Sequence, residues 1–414
     1  MKIGIVAWDL NISGGTQRQA LELALHLQKM GHNVKVYTVY YDKEKCYPDL
    51  LNGLDVKYLC SDKRNDLDRK SNNLLKKIFV KVFPYWIPLL KTEKLYDNLT
   101  GLIDEDLNLL CCHDYGVYPV ASKYKNKTGK PVVWQMNDLP VHGSNFKNWE
   151  GIIKFILSPL RGEIFLRLKH TKYIKKIDKI VVMDNLNKNK LKDNLGLESV
   201  IVRNGLDIEK FKFKEREILG NKLKIMSNGI FFPHRRIEDL IQALWIIKKK
   251  NIKFELNHVG TDIRGKGYAE KIYRMVRQFN LSDYVKFHGH VSEEKLIELY
   301  STSDIFVFPN YPQTWGLAVF EAMGCGTPAI VSTGCGASEV LTDGENALLV
   351  PPKSPSKIAD AVIRLKENPN LWKTLRINGR KFVEENIRWD LYAQNMLKVF
   401  NEVLKEKIAR GAEL

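Results

Sequence analysis

Long apolar runs are missing from this chain of 414 residues. No stretch of about 18 uncharged apolar residues occurs, so a membrane-spanning helix is not expected. Cysteine is scarce and unpaired. The six cysteines, Cys46, Cys60, Cys111, Cys112, Cys325 and Cys335, form no Cys-x-x-Cys motif. That pattern argues against a zinc ribbon or a disulfide framework and predicts reduced, mostly buried thiols. A convincing Asp-x-Asp metal loop is also missing: the nearest look-alike, Asp104-Glu-Asp106, stands just before a strand. Neither zinc-finger spacing nor an RNP-like aromatic motif is present, so no nucleic-acid partner is expected. There is no low-complexity tract and no repeat of about 20–50 residues, which excludes solenoids and propellers. The opening run Met1–Ala7 is too brief for the apolar core of a secretory signal. A cytoplasmic protein is expected.

Acidic residues are in deficit. Lys and Arg number 65 against 48 Asp and Glu, a formal charge of +17. Such a balance suits nucleic acid, an anionic membrane or anionic substrates, and the missing nucleic-acid motifs favour the last two. Much of the excess is in the first half: residues 161–180 hold seven Lys/Arg against Glu163 and Asp178. Between Lys76 and Lys91, lysines alternate with large apolar residues including Phe83 and Trp86. That mixture suits the interface of an anionic bilayer, hence a peripheral place on the inner membrane face. A solvated basic face over a core-packing helix explains it equally well.

What is present is an α/β pattern. Hydrophobic residues at 44% and charged residues at 27% are those of a globular protein with two or three domains. Residues 3–8 read as a strand, Ile12-Ser-Gly-Gly15 as a loop, and Thr16 as the cap of a helix with Gln19 closing a capping box. Ala20, Leu23, Ala24 and Leu27 then recur at helical spacing, and Gly31 ends the helix. A second strand follows at 33–38. This βαβ opening predicts a parallel sheet. Further strands are expected at 107–112, 132–135, 179–183 and 200–202. A second series begins at 223–227 and continues at 254–259, 285–287, 305–308, 329–332 and 347–350. Between the series lies Arg203-Asn-Gly-Leu-Asp207, read as an interdomain hinge. Residues 389–401 form an amphipathic helix. The expected domains are 1–204, joined by a C-terminal helix 390–414, and 205–389.

The most telling stretch is Pro309-Asn-Tyr-Pro-Gln-Thr-Trp-Gly-Leu-Ala-Val-Phe-Glu-Ala-Met-Gly-Cys-Gly-Thr-Pro328. It reads as the end of a buried strand, a loop, a helix from Leu317 to Met323, and a glycine stop. At the carboxyl end of a parallel strand such a loop binds ligands. Its free amides and the helix N-terminus suit a phosphate, and Glu321 is placed to accept ribose hydroxyls.

This segment resembles the donor-binding motif of family 4 glycosyltransferases, retaining enzymes of GT-B fold. Trp315-Gly316-Leu317, Glu321-Ala-Met-Gly-Cys-Gly-Thr-Pro328 and the following strand stand in family order. The family's first glutamate, eight residues before the second, is Gln313 here; Gln keeps a hydrogen-bonding oxygen and loses the charge. The resemblance implies an α/β architecture of two doubly wound Rossmann-like domains facing an interdomain cleft, with the final helix returning to the first. It also implies roles. Gly14-Gly15 matches a Gly-Gly loop facing donor and acceptor. His113 stands where the family has a His that bonds the transferred sugar. Gly229 opens a loop where the family carries Arg and, five residues later, Lys: these positions are Ile230 and Arg235, with Arg236 and His234 available to replace the lost cation. Arginines there would bind the diphosphate and offset leaving-group charge. Gly334–Glu339 matches a glycine-rich loop behind the nucleotide, with a helix-start carboxylate as the alternative for Glu339.

The resulting expectation is a hexosyl-type glycosyltransferase. It uses a nucleoside-diphosphate sugar, needs no cofactor or metal, and serves a glycan or lipid-linked acceptor in cell-surface polysaccharide or glycoconjugate synthesis. His113, Arg235, Gln313 and Glu321 are its candidate catalytic residues. Gly14, Gly15, Arg235, Arg236, Trp315, Gly316, Leu317 and Glu321 are its candidate donor contacts. A GT-B epimerase, an inverting transferase, or a non-catalytic nucleotide-sugar or nucleic-acid binder on the same scaffold are the alternatives.

Overall fold

The structure is a computed structural model that describes residues 1–61, 86–114, 116–137, 163–216, 219–262, 267–312 and 315–412. The chain divides into two units. The first is Met1–Val202 with Tyr392–Leu414; the second is Arg203–Leu391.

In the first unit β1 (Lys2–Leu10), β2 (Asn33–Tyr41), β3 (Asp55–Cys60), β4 (Leu109–His113), β5 (Val132–Gln135), β6 (Lys179–Val182) and β7 (Val200–Ile201) make one parallel sheet in the order 3-2-1-4-5-6-7. Helices α1 (Gly15–Lys29), the single turn α2 (Pro48–Leu51), α3 (Trp86–Leu102), α4 (Tyr118–Thr128), α5 (Glu163–Ile174) and α6 (Asn185–Leu195) connect the strands. Near-continuous apolar strands such as β4, buried throughout, mark a sheet covered on both faces. One face packs Val6, Tyr37, Leu110, Cys112 and Trp134 against Leu99 of α3 and Tyr118, Ala121 and Tyr124 of α4.

The expected strands are present, with two differences. β3 is an additional edge strand: its half-exposed Val56–Tyr58 pairs only with β2, so it lacks the solid apolar run that marks a buried strand. The strand expected at 107–112 runs from Leu109 to His113, which makes His113 its last residue. The capping box is also corrected. Gly14 caps α1 without a side-chain bond. Thr16 lies inside the first turn and accepts from Asn137 Nδ2 at 3.0 Å, while Gln19 is buried against Met183 Sδ at 3.8 Å.

The second unit repeats the plan. Strands β8 (Leu223–Asn228), β9 (Phe254–Val259), β10 (Val285–Gly289), β11 (Ile305–Phe308), β12 (Ala329–Ser332) and β13 (Leu348–Val350) form a parallel sheet ordered 10-9-8-11-12-13. Around it stand α7 (Ile237–Lys249), α8 (Tyr268–Gln278), α9 (Glu293–Thr302), α10 (Leu317–Gly324), α11 (Pro355–Glu367) and α12 (Pro369–Asn386). Alternation along β11 divides the core. Ile305 and Val307 enter the cluster with Leu240, Leu244 and Ile272. Phe306 faces the other way, toward Tyr300, with ring centroids 5.5 Å apart.

Helix α13 (Trp389–Ala412) carries the chain back to the first unit. Tyr392, Met396, Phe400 and Val403 are its buried stripe, the spacing an amphipathic helix requires. The segment read as a hinge is clamped within the second unit. Leu206 N–H donates to the Ile387 carbonyl at 3.0 Å. A Cβ on Gly205 would lie 2.1 Å from the carbonyl carbon of Arg388, so only glycine permits that approach. Among the described residues no helix is long and apolar enough to cross a membrane.

Candidate active site

Each sheet reverses its winding between two central strands, β1 and β4 in the first unit and β8 and β11 in the second. Open α/β sheets bind ligands outside the carboxyl ends of strands at these switch points. The candidate catalytic and donor-contact residues that the structure describes stand in or beside the loops that follow these four strands; Gly334–Glu339 follows β12.

In the second unit the loop after β8 is fixed from behind. His258 on β9 is fully buried and neutral; burial pulls its pKa down to about 4. Its Nδ1 lies 2.7 Å from Ser227 Oγ and its Nε2 3.0 Å from the Gly229 carbonyl. The chains approach so closely here that a Cβ on Gly260 would lie 2.1 Å from the Gly229 oxygen. Phe231 then anchors the loop in the core, a 3-10 turn Pro233–Arg235 follows, and Arg236, at φ 52°, caps α7.

The two arginines have different surroundings. Arg236 is turned onto acidic neighbours: Nε and Nη2 donate to Asp239 at 2.8 and 2.7 Å, and Nη1 lies 3.1 Å from Glu238. Its charge is already balanced at the start of α7. Arg235 has no carboxylate partner among the described residues. Its Nε is sealed from solvent and unbonded, and burial pulls its pKa below the usual guanidinium value. A desolvated cation without a counter-charge is costly unless an anion arrives.

The loop after β11 meets Arg235 directly. Tyr311 N–H donates to the His234 carbonyl at 2.8 Å. Asn310, with its amide oriented to satisfy both contacts, accepts from Arg235 Nη1 at 2.9 Å and donates to the Arg235 carbonyl at 3.1 Å. Gly316, at φ 85°, caps α10 and leaves its first amides without a side-chain cap. One turn on, Glu321 accepts from the Tyr300 hydroxyl at 2.9 Å, and Asn228 donates to that hydroxyl at 2.9 Å. Trp315 is buried: its ring packs 4.8 Å from Phe320, with the Arg203 guanidinium 5.6 Å away. Arg203 also pairs with Glu339 at 3.1 Å. Gln313 lies outside the described residues.

In the first unit the loop between β1 and α1 is clasped by its neighbours. Ser13 Oγ donates to the Lys45 carbonyl at 3.0 Å, and Tyr47 OH to the Gly14 carbonyl at 3.4 Å. Gly15 is exposed with open space above it. His113 is fully buried, its Nε2 3.5 Å from Cys111 Sγ, and its Nδ1 has no partner among the described residues. Burial holds it neutral, with a pKa pulled down to about 3, so the imidazole works as a hydrogen-bonding group and not as a titrating acid. Asp114 follows at φ 92°, a conformation rare outside glycine that marks stored strain beside a site.

The Asp104-Glu-Asp106 look-alike stands elsewhere. Asp104 pairs with Lys35 at 2.7 Å and Lys57 at 2.6 Å, and Asp106 with Lys2, at the amino ends of β1–β3. Those lysines hold the Asp104 carboxyl down to about 2. Among the described residues no group of three His, Cys, Asp or Glu side chains is arranged to hold a metal.

Sequence reading missed Asn228, His258, Tyr300 and Asn310. Asn228 and Asn310 carried a signal, a polar residue at the carboxyl end of a predicted strand. His258 and Tyr300 are joined to the site by folding, not by any local pattern.

Comparison with known proteins places this arrangement. The structure of HepE from Anabaena, solved in complex with UDP, aligns with a TM-score of 0.71 and 15% identity over 97% of this chain and all of that one. The fold is therefore that of the GT-B glycosyltransferases. Two family models match nearly end to end, Glycosyltransferase Family 4 over residues 13–210 and Glycosyl transferases group 1 over residues 208–382. The chain belongs to the family 4 glycosyltransferases. An uncharacterized glycosyltransferase of Methanocaldococcus jannaschii is 24% identical over 97% of this chain and 98% of its own length. The capsular polysaccharide biosynthesis glycosyltransferase CapM of Staphylococcus aureus is 26% identical over 55% of this chain and 62% of its own.

Proposed function

We propose that this glycosyltransferase moves a sugar from a nucleoside-diphosphate sugar to a glycan or lipid-linked acceptor, with retention at the anomeric carbon. The observation that carries the donor assignment is Arg235, a desolvated guanidinium without a carboxylate at the switch point of the second unit. A diphosphate supplies the missing charge. The amides of Gly316 and Leu317, at the positive end of α10, complete its cradle. Glu321 takes the ribose hydroxyls. Gln313 is assigned a sugar hydroxyl, since an amide offers hydrogen bonds without charge. The UDP complex of HepE supports a nucleotide ligand, and the role printed for CapM supports a cell-surface product.

In the proposed reaction the bond from the sugar's anomeric carbon to the diphosphate oxygen breaks. The acceptor oxygen bonds that carbon from the same face, and its proton passes to the departing phosphate. Arg235 and the α10 amides stabilise the charge that develops. Neutral His113 receives a hydroxyl of the transferred sugar at Nδ1. Gly15, where backbone is open to approach, admits substrate to the first unit, and Gly14 shapes the turn before it. Trp315 acts from beneath α10 through packing. Arg236 holds the start of α7, so a direct diphosphate contact is not assigned to it.

The test is a thermal-shift panel of UDP, GDP, ADP and CMP sugars, followed by turnover of the stabilising donor and NMR of the product's anomeric proton. Native-state binding raises stability by RT ln(1 + [L]/Kd). One diphosphate sugar should stabilise the protein and give a product of unchanged configuration. An inverted product, or no stabilisation by any of them, overturns the proposal. The lipid-linked acceptor is proposed together with membrane attachment through residues 76–91 and 161–179. Residues 76–85 and 161–162 of these segments lie outside the described residues. Lys76, Lys77 and Lys81 changed to Glu should abolish co-sedimentation with anionic liposomes; binding indifferent to lipid charge removes this part of the proposal.

A further inference from the structure

Arg235 is gripped at three places. Its aliphatic stem runs along Gly229, where a Cβ would lie 3.2 Å from Arg235 Cδ. Its carbonyl accepts from the Asn310 amide at 3.1 Å, and its Nη1 donates to the Asn310 oxygen at 2.9 Å. Asn310 thus holds the backbone and the guanidinium of one residue at once. It is itself buried, and its neighbour Tyr311 bonds the His234 carbonyl, so the loop after β11 and the loop after β8 form one unit.

The chemistry of the grip matters more than its presence. Arg236, one residue on, is fixed by carboxylates, which spend its charge. A carboxylate at position 310 would fit the same space and meet Nη1, but in place of the amide N–H it would set a second oxygen against the Arg235 carbonyl. The chain instead has a neutral amide there.

We propose that Asn310 is a positioning residue for Arg235: it orients the guanidinium by neutral hydrogen bonds and so leaves the cation uncompensated for the donor diphosphate. This rests on the assignment of the diphosphate to Arg235. Converting Asn310 to a carboxylate turns the same geometry into an internal ion pair. The diphosphate then competes with a tethered anion at high effective concentration.

The experiment uses the full chain and three variants, Asn310→Asp, Asn310→Ser and Arg235→Ala, with the double variant Asn310→Ser/Arg235→Ala. Affinity for the nucleoside diphosphate of the stabilising donor is measured by calorimetry, alongside initial rates and thermal midpoints. Asn310→Asp, which gains an ion pair and loses the bond to the Arg235 carbonyl, should bind the nucleoside diphosphate about tenfold more weakly or worse, about 1.4 kcal/mol in binding terms, while Asn310→Ser, which loses both bonds without adding charge, should weaken it less. A merely structural asparagine would not separate the two variants. Asn310→Ser keeps the cation unpaired but loosens it; kcat should fall more than KM changes. Because Asn310 acts through Arg235, exchange of Asn310 for Ser should cost no further affinity once Arg235 is Ala. If Arg235→Ala loses binding while Asn310→Asp binds as wild type, the role of Asn310 is overturned and the diphosphate assignment stands. If Arg235→Ala binds normally, the diphosphate assignment falls first and takes this proposal with it. Should Asn310→Asp fail to fold, a wild-type kcat in Asn310→Ser overturns the proposal by itself.

Discussion

The Tyr300 hydroxyl is caught between Asn228 and Glu321, accepting from the first and donating to the second, each at 2.9 Å. With the amide occupying its acceptor side, the phenol's proton points to the carboxylate. Burial and the adjacent Glu321 raise the pKa of Tyr300, so the phenol stays protonated. Glu321→Ala should raise donor KM strongly. Tyr300→Phe preserves shape and removes one bond to a charged group, a loss of about 1.5–3 kcal/mol. Its donor KM should rise by about tenfold with a smaller change in kcat. Steady-state kinetics decide it, and unchanged donor KM in folded Glu321→Ala would sink the ribose assignment.

Neighbouring arginines should respond oppositely to truncation. Arg235→Ala should lower kcat/KM by about 2 kcal/mol or more, the scale of a lost transition-state contact, at little cost in stability. Arg236→Ala leaves Asp239 and Glu238 buried without their shared cation. It should lose about 1–3 kcal/mol of stability while keeping most activity. Denaturant unfolding and kinetics on the same preparations separate the two, and equal kinetic losses would show that both touch the donor.

His258 makes the second unit sensitive to acid. Its folded pKa of about 4 lies below the unfolded value of about 6.5. Below that unfolded value the unfolded chain binds the extra proton, so stability is complete above it and declines as pH falls toward the folded pKa. One such histidine costs about 2 kcal/mol between pH 7 and pH 5. His258→Gln should flatten the decline in thermal midpoint over that interval. A variant with the wild-type slope would assign the acid sensitivity to other groups.

Transfer should proceed without a divalent ion. Asp104 and Asp106 are bound to lysines at the amino ends of the strands, and Arg235 is the cation proposed for the donor site. Rates with and without EDTA should agree; complete loss restored by magnesium contradicts the expectation.

Central strands were legible because they are buried on both faces. Residues 132–135, 305–308 and 329–332 are short, mainly apolar runs, and they fold as read. The edge strand β3 was not, since half its side chains meet solvent and no dense run remains. Gly316 before Leu317–Gly324 was legible as the end of a loop, and the positive φ it adopts there favours glycine. The cap of α1 was misread. Thr16 has the right chemistry, but tertiary contact with Asn137 claims its hydroxyl.

Local sequence therefore determined the two α/β series, the loops at their switch points, and the presence of Arg235, Arg236 and Glu321 in those loops. It did not show the surroundings that set the two arginines apart. Arg236 meets Glu238 and Asp239 within the start of its own helix, but only folding brings the distant Asn310 onto Arg235. Charge balance at a half-buried cation depends on which side chains meet it in space, and the meeting of Asn310 with Arg235 is made by the pairing of β8 with β11, strands far apart in the chain.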